Sequence, residues 1–449
     1  MIKRRSDVSD ILVFGATGYT GQYVVNELAK LAKEYGGLTW GIAGRNKDKL
    51  QGVLRKTSEK NWYDWSNVPL VIADVKDPES LKAMTSRAKV LVNCCGPYRF
   101  LGEAVVKACI ESGTHHLDIS TEPQYMELMQ LKYHKAAEEK GVYVISACGF
   151  ASIPTDLGTV YLQKNFEGGM NSAEIFLRIG TIPSEKKIKR GALAHFGTWE
   201  SVVYWFAHWY ELWRIRSKLN KQKLPALRPK LIQSINQLPF ILNNEIVRGP
   251  WCLTFWSVDK SVIERSQRHF FEKNEQRPAQ INTYFVVSNF LIVIGLFILG
   301  LVFLLMSQCC LGRKLLLKYP KVFTCGFVSH EGPTEEAEEH TSATFTFRGK
   351  GWSEKDMASS CPPDKTVITN VAFKSPGYGF TALSLILCSI MTSRNQEICQ
   401  EGLGGVLPPA AAFRKTSLIE QLMQHDVKFE VTSSEVVPVK RSCCLSMCV

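Results

Sequence analysis

Seven residues near the N-terminus, Gly15-Ala16-Thr17-Gly18-Tyr19-Thr20-Gly21, set three glycines at a spacing that suits phosphate chemistry. Without a Cβ, glycine lets a pyrophosphate approach the backbone, and a helix opening straight after the turn offers free N–H groups and the positive end of its dipole. At Arg45, NAD would want a carboxylate for its ribose hydroxyls. A cation there, with Lys47 and Lys49 nearby, suits a 2′-phosphate, so NADP is expected over NAD; an exposed arginine opening a helix is the plain alternative. Asp74 could accept from an adenine amine or cap the helix begun by Pro78. Cys95-Gly96-Pro97 makes a small, rigid turn able to press on a nicotinamide ring. For the reacting end the catalytic candidates are Tyr98, Glu122 and Asp156, each with a structural alternative: helix capping for the two acids, packing on a sheet for the tyrosine. Hydride chemistry belongs mainly to the cofactor, so the protein need add little beyond orientation.

The elements that must hold these residues follow in the right order. Residues 11–14 are apolar and partly β-branched and read as a strand, and 22–33 have helical spacing of Tyr23, Val24, Leu28 and Leu31. Residues 38–43, 70–73, 90–94 and 117–120 read as further strands, which predicts an α/β fold with a doubly wound parallel sheet, a Rossmann domain, over 1–150. At 449 residues a second domain is expected. Residues 173–179, 343–347 and 367–373 alternate as strands and 377–391 looks helical, so 151–395 reads as an α+β substrate or dimerisation domain. A segment at 396–436 and a cysteine-rich tail at 437–449 follow.

The balance of 54 Lys+Arg against 42 Asp+Glu leaves +12, which suits anionic lipid, nucleic acid or a phosphorylated cofactor. Position favours lipid: Arg265, Arg268, Lys273 and Arg277 precede a long apolar run, and Arg313, Lys314, Lys318 and Lys321 follow it. No nucleic-acid motif competes. The 14 cysteines show no metal-ligand spacing, so no metal is expected, and without an N-terminal signal segment they imply a reducing, cytosol-facing location.

With these segments placed, the chain resembles the saccharopine dehydrogenase-like oxidoreductase family. The resemblance is carried by VFGATGYTGQ (13–22), AGRNKDKL (43–50), NCCGPYRFLGEAVVKACIESG (93–113), LDISTEPQYMELMQLKYH (117–134), GFASIPTDLG (149–158), GTW (197–199), EGPT (331–334) and GVLPPAAAFRKTSLIEQL (405–422). It implies a Rossmann domain, a central domain with a mixed sheet, and a C-terminal segment that returns to the nucleotide domain. It also carries Gly15, Gly18 and Gly21 to the phosphates, Gly96-Pro97 to the nicotinamide side, and the pair Asp118 and Glu122 to the cleft edge. Related sequences usually have an acid where Ala151 stands. Alanine transfers no proton, so no catalytic residue carries over at that turn. Nor is saccharopine the expected substrate, since an amino-dicarboxylate calls for convergent arginines that the sequence does not locate.

Residues 278–312 hold no charged side chain, and 284–306 are long and apolar enough to cross a bilayer. A single crossing would separate the two parts that the resemblance brings together. A hydrophobic hairpin or re-entrant segment over 279–312, bent near Gly295 or Gly300, keeps both basic flanks on one side and suits a membrane or a lipid droplet. A buried helix or a homodimer interface is the alternative. Trp205, Trp209 and Trp213 fall four apart and so share one helical face as a stripe, with Arg214, Arg216, Lys218, Lys221 and Lys223 beyond, which suits a lipid headgroup interface, a core or a greasy pocket. Cys443, Cys444 and Cys448 follow two basic residues and could accept palmitate or remain unmodified. The expectation is a cytosol-facing NAD(P)-dependent oxidoreductase at the lipid droplet or endoplasmic reticulum, with the mitochondrial surface left open, acting on an apolar, lipid-type carbonyl, imine or activated alkene. Its rival is an inactive Rossmann-fold scaffold on such a surface.

Overall fold

The computed structural model describes residues 8–183, 191–225, 227–230, 242–244, 249–254, 258–354, 362–394 and 404–436. The tail cysteines lie outside them. Six βα units come first: β1 (Ser9–Phe14), α1 (Tyr19–Tyr35), β2 (Trp40–Gly44), α2 (Lys47–Asn61), β3 (Leu70–Ile72), α3 (Pro78–Thr85), β4 (Ala88–Asn93), α4 (Tyr98–Ser112), β5 (His115–Asp118), α5 (Pro123–Glu139), β6 (Tyr143–Ile145) and α6 (Ser152–Phe166). Their strands form one sheet in the order Gly405–Leu407, β6, β5, β4, β1, β2, β3, with every neighbouring pair parallel. The chain order reverses between β1 and β4, and the crevice outside that point is where such sheets bind ligands.

β1 shows why its sequence makes a doubly covered strand. Ile11 and Val13 join Val24, Leu28 and Leu385 on one face, while Leu12 and Phe14 join Leu81, Met84 and Val105 on the other. A period of two with both faces apolar is what a sheet with helices on both sides requires. Each such side chain contributes about 1.5–3 kcal/mol by burial.

The second sheet is mixed, in the order Lys428–Val436, Lys365–Lys374, Thr341–Trp352, β7 (Gly169–Thr181), Gln280–Val287, Gly249–Thr254, Leu242–Asn244. Only β7 and Gln280–Val287 run parallel; the other neighbours are antiparallel. Ile153, Leu157 and Leu162 of α6 pack with Ile175, Phe345 and Phe347 of this sheet in the same core cluster as the β1 face. The expected α/β fold with a second α+β part is therefore borne out. The boundary at 395 falls after a helix, Gly379–Ser393, that packs on α1, β1, β4 and β5. The C-terminal segment divides: Gly405–Leu407 extends the first sheet, and Lys428–Val436 crosses to edge the second.

Two expectations fail here. The apolar run is no hairpin. Its first part is the buried strand Gln280–Val287, and the rest as far as Gln308 is one helix, unbroken at Gly295 and Gly300, that follows α7 (Phe196–Ala207), α8 (Trp209–Leu219) and α9 (Val258–Asn274) and is labelled α10 (Phe290–Gln308); the run's last residues open a separate helix, Cys310–Lys318. Asn289 separates the two by accepting from Leu291 N at 2.8 Å, an N-cap. Inside α10 the backbone bonds are all internal, so isolated glycines among leucine and isoleucine need not bend it. The tryptophans do not share a face either. The helix breaks at His208, whose ring lies 3.0 Å from Tyr204 O, so Trp205 packs toward the core while Trp209 and Trp213 stay exposed on α8.

Candidate functional site

The turn after β1 is pinned by Gly15 N donating to Ala43 O at 3.1 Å and Gly18 N to Gly15 O at 2.9 Å. Gly15 sits at φ +82°, and a Cβ on Gly21 would stand 2.2 Å from Gly15 O, so helix and turn touch backbone to backbone. α1 then opens after Gly18 with no side-chain cap, which leaves the first-turn N–H groups, those of Tyr19, Thr20 and Gly21 among them, for a ligand. Thr17 is half-buried in the same turn. At the end of β2 Arg45 is exposed, and Asn46 caps α2 by accepting from Lys49 N at 2.9 Å. Asp74, past β3, accepts from Lys76 N at 3.0 Å, an Asx turn that leaves one carboxylate oxygen uncommitted. Burial pushes the Cys95 thiol up to about 12, against the Arg45 guanidinium and with the Asp74 carboxylate. One cysteine thus feels both residues expected at the two ends of an adenosine ribose. This turn, open donors and exposed cation together fit a dinucleotide with a 2′-phosphate.

The Tyr19 side chain turns away from the phosphate side. Its ring stacks on His195 at 4.7 Å and meets Tyr378 edge-on, and its hydroxyl donates to Pro333 O. A Cβ on Gly332 would strike that ring at 2.6 Å. His195, Tyr378 and the EGPT stretch therefore converge on Tyr19, which ties the second part of the chain to the start of α1. No sequence signal distinguished this use of Tyr19 from cofactor contact.

At the other end of the edge, the Gly96–Pro97 peptide is cis and α4 begins at Tyr98. Glu122 spans to that helix: Tyr98 N donates to it at 3.0 Å, Arg99 N at 2.8 Å, and Ser201 Oγ of α7 at 2.7 Å. Burial raises its pKa while these three donors oppose the shift. The Tyr98 hydroxyl donates to Asn93 O at 2.8 Å. Asp118, fully buried, accepts from Ser120 N, Ser146 Oγ and Tyr125 Oη. The structure thus brings Tyr98, Glu122 and Asp118 together around the entry to α4, with their polar atoms already bonded. Asp156 has other partners, Ala410 N at 2.8 Å and Ser266 Oγ at 2.7 Å, and clamps α6 to α9 and the C-terminal segment. Ala151, at φ +75°, opens α6 beside Phe150, whose N–H donates to Thr381 Oγ1 at 3.0 Å.

Burial pushes the Asp156 carboxyl up to about 7, with Ala410 N and Ser266 Oγ opposing. A folded-state value above the unfolded one means that its stabilisation is complete below about pH 4 and is lost as pH rises through about 7. Asp156→Asn keeps an acceptor and cannot ionise. The variant should match the parent below about pH 4 and exceed it by a margin that grows through pH 5 and reaches about 1 kcal/mol or more near pH 8, read from urea midpoints.

Residues 11–145 match the family model described as the saccharopine dehydrogenase NADP binding domain, which bears out NADP as cofactor. The saccharopine dehydrogenase-like oxidoreductase of Rattus norvegicus is 39% identical over 95% of this chain and 98% of its own. A Caenorhabditis elegans protein named lipid droplet localized protein is 32% identical over 94% of this chain and 98% of its own. Among solved structures, apo saccharopine dehydrogenase (L-Glu forming) from Saccharomyces cerevisiae superposes with a TM-score of 0.55 at 13% identity, covering 95% of this chain and 100% of that one, a likeness of fold alone.

Proposed function

Because the chain belongs to the saccharopine dehydrogenase-like oxidoreductase family, as its likeness to the rat protein shows, we propose that it is a lipid-surface NADPH-dependent oxidoreductase acting on an apolar, lipid-type substrate. When bound, the cofactor supplies or accepts a hydride at its nicotinamide. The chain's own part is to seat the phosphates on Gly15, Gly18 and Gly21, to hold the 2′-phosphate with Arg45, and to set Gly96-Pro97 at the nicotinamide side.

The observation that carries this reading is the position of α7. One face bonds to the reacting end through Ser201 and Glu122, and the other meets α10, with Phe303 at 5.1 Å from Trp199 and 5.3 Å from Phe206. α10 touches the body towards its two ends: Phe290 packs on Trp251 at 4.9 Å, and Gln308 donates to Phe206 O at 3.1 Å. The contacts at Phe290 and Phe303 are separated by about 20 Å of helix. Most of its surface is exposed, Leu291, Phe297, Leu301 and Leu305 more than half. A helix so placed suits insertion into the plane of one leaflet, where a lipid would stand one helix away from the nicotinamide. The name of the worm relative supports a lipid-droplet surface as the location.

The bonded state of Tyr98 and Glu122, and alanine at position 151, favour a second reading in which the fold is a scaffold. The test is NADPH oxidation by the full chain on vesicles loaded with fractionated lipid extract. Oxidation with at least one fraction is expected; none with any would leave the scaffold. A second measurement addresses Arg45. Arg45→Glu should weaken NADPH binding by about 10- to 100-fold, as loss of a charge-assisted pair and a new repulsion imply, and affect NADH little.

A further inference from the structure

α7 bridges the crevice at the switch point of the first sheet. His195, its N-cap, stacks on Tyr19 at the start of α1, and Tyr204 near its far end meets Phe100 in the first turn of α4 edge-on at 4.9 Å. α1 follows β1 and α4 follows β4, the two strands between which the chain order reverses. The stretch of α7 between these anchors is about 14 Å long. It joins the two turns that flank the place where sheets of this kind bind their ligands.

Successive side chains of a helix point about 100° apart, which sorts those of α7. Trp199 and Phe206 share the side that meets Phe303 of α10. Ser201 points to Glu122, and Trp205 beside it packs with the cluster that holds Met126 and Val262. Glu200 and Tyr204, one turn apart, lie between those sides, and the contact of Tyr204 with Phe100 shows that they look toward the first turn of α4, which opens directly after Gly96-Pro97.

Glu200 is half-buried there, with no hydrogen bond or ion pair to its side chain among the described residues. Tyr98, Glu122 and Asp118 differ from it in having their polar atoms bonded. Burial raises the Glu200 pKa and the Glu122 carboxylate adds to the shift, so its proton is held closer to neutral pH, as suits an acid. The other charged groups around α7 are engaged: Arg99 donates to Glu211 at 2.6 Å, and Arg313 donates to Ser307 O and Gln308 O. α10 carries no charge, and His195 and His330 stand at the N-terminal end of α7.

We propose that Glu200 is a catalytic residue, the proton donor to the substrate; the inference rests on the oxidoreductase reading above. With a carbonyl substrate, the carbon gains the hydride that NADPH loses in becoming NADP+, the C=O π pair moves to oxygen, and Glu200 transfers its proton to that oxygen. Solvent returns a proton to the carboxylate. Once ionised, the same carboxylate faces a nicotinamide that is cationic in NADP+ and neutral in NADPH, so it favours the oxidised cofactor.

The experiment measures the affinity of the full chain for NADP+ and NADPH from pH 5 to about pH 8, in the parent and in Glu200→Gln, and then turnover of both on vesicles loaded with lipid fractions. In the parent the preference for NADP+ should rise at least threefold with pH; the variant should lose that rise while NADPH affinity stays within threefold. Asp118, Glu122 and the 2′-phosphate are common to both proteins, so the difference reports on Glu200. Turnover on an active fraction should fall at least 100-fold with KM within threefold, and Glu200→Asp, which keeps a carboxyl, should recover at least a tenth of the parental rate. Should Glu200→Gln fail to bind NADPH, Glu200→Ala takes its place under the same criteria. The same rise with pH in the variant, or a turnover loss below tenfold, would overturn the donor role and leave the oxidoreductase reading standing. No turnover by the parent with any fraction would end that reading and the donor role with it.

Discussion

Gly21→Ala is expected to weaken NADPH binding by at least about 100-fold. The added methyl would stand 2.2 Å from Gly15 O and 3.0 Å from Ala16 Cα and Gly15 C, all backbone atoms that no side-chain rotation can clear. The turn has little room to retreat toward the end of β4, because even a Cβ added to Gly15 would meet Cys95 Sγ at 2.7 Å and the Cys94 carbonyl carbon at 3.0 Å. Helix and turn must therefore separate, and the N–H groups at the helix end leave the phosphates. Losing two such charge-assisted bonds, at about 1.5–3 kcal/mol each, accounts for the factor. Gly18→Ala is the internal control. Its Cβ would lie 3.2 Å from Gly15 O, a contact that a shift of a few tenths of an ångström relieves, so a loss within about tenfold is expected. Fluorescence titration of both variants reads the difference. Equal, undiminished binding in the two would mean that the phosphates do not sit on this turn.

The triple substitution Phe297→Asp, Leu301→Asp, Leu305→Asp should release the chain from lipid. These residues recur every four along α10, share one helical face, and are 59%, 51% and 67% exposed, so the change touches solvent rather than the body of the protein. Withdrawing three large apolar side chains from a lipid surface costs about 5–9 kcal/mol, before the added charges are counted. Surface ion pairing with the basic flank cannot offset that. In flotation with phospholipid-coated droplets, the parent should rise with the lipid and the variant stay below, while NADPH binds both equally. A variant that floats like the parent would place the lipid contact elsewhere.

The nucleotide half was legible because its signals are local. A short apolar strand, a glycine turn and a helix with 3.6-residue spacing are read from about twenty residues, and β1, α1 and Arg45 fall where the pattern put them. The apolar run was misjudged because a strand buried on both faces and a lipid-facing helix are both plain hydrophobic sequence. Burial of Ile281 and Tyr284 between β7 and Gly249–Thr254 is a tertiary fact; the one local clue was Ser288-Asn289, a helix start inside the run. The tryptophan stripe failed for a similar reason, since a spacing of four implies one face only while the helix continues. Glu122 could be read as acid or cap from its type, but only the fold shows that it caps a helix 24 residues upstream, reaching Tyr98 N. The packing of His195, Pro333 and Tyr378 on Tyr19 joins residues more than 170 positions apart and leaves no trace in local spacing.

The most direct test of the account is transfer of isotope from NADPH deuterated at nicotinamide C4 into lipid, using the full chain on vesicles carrying a lipid extract, with products read by mass spectrometry. Deuterium in at least one lipid class, absent with Gly21→Ala and reduced when α10 carries the three aspartates, is the predicted result. Tight NADPH binding with no label in any lipid would contradict an apolar substrate at this site.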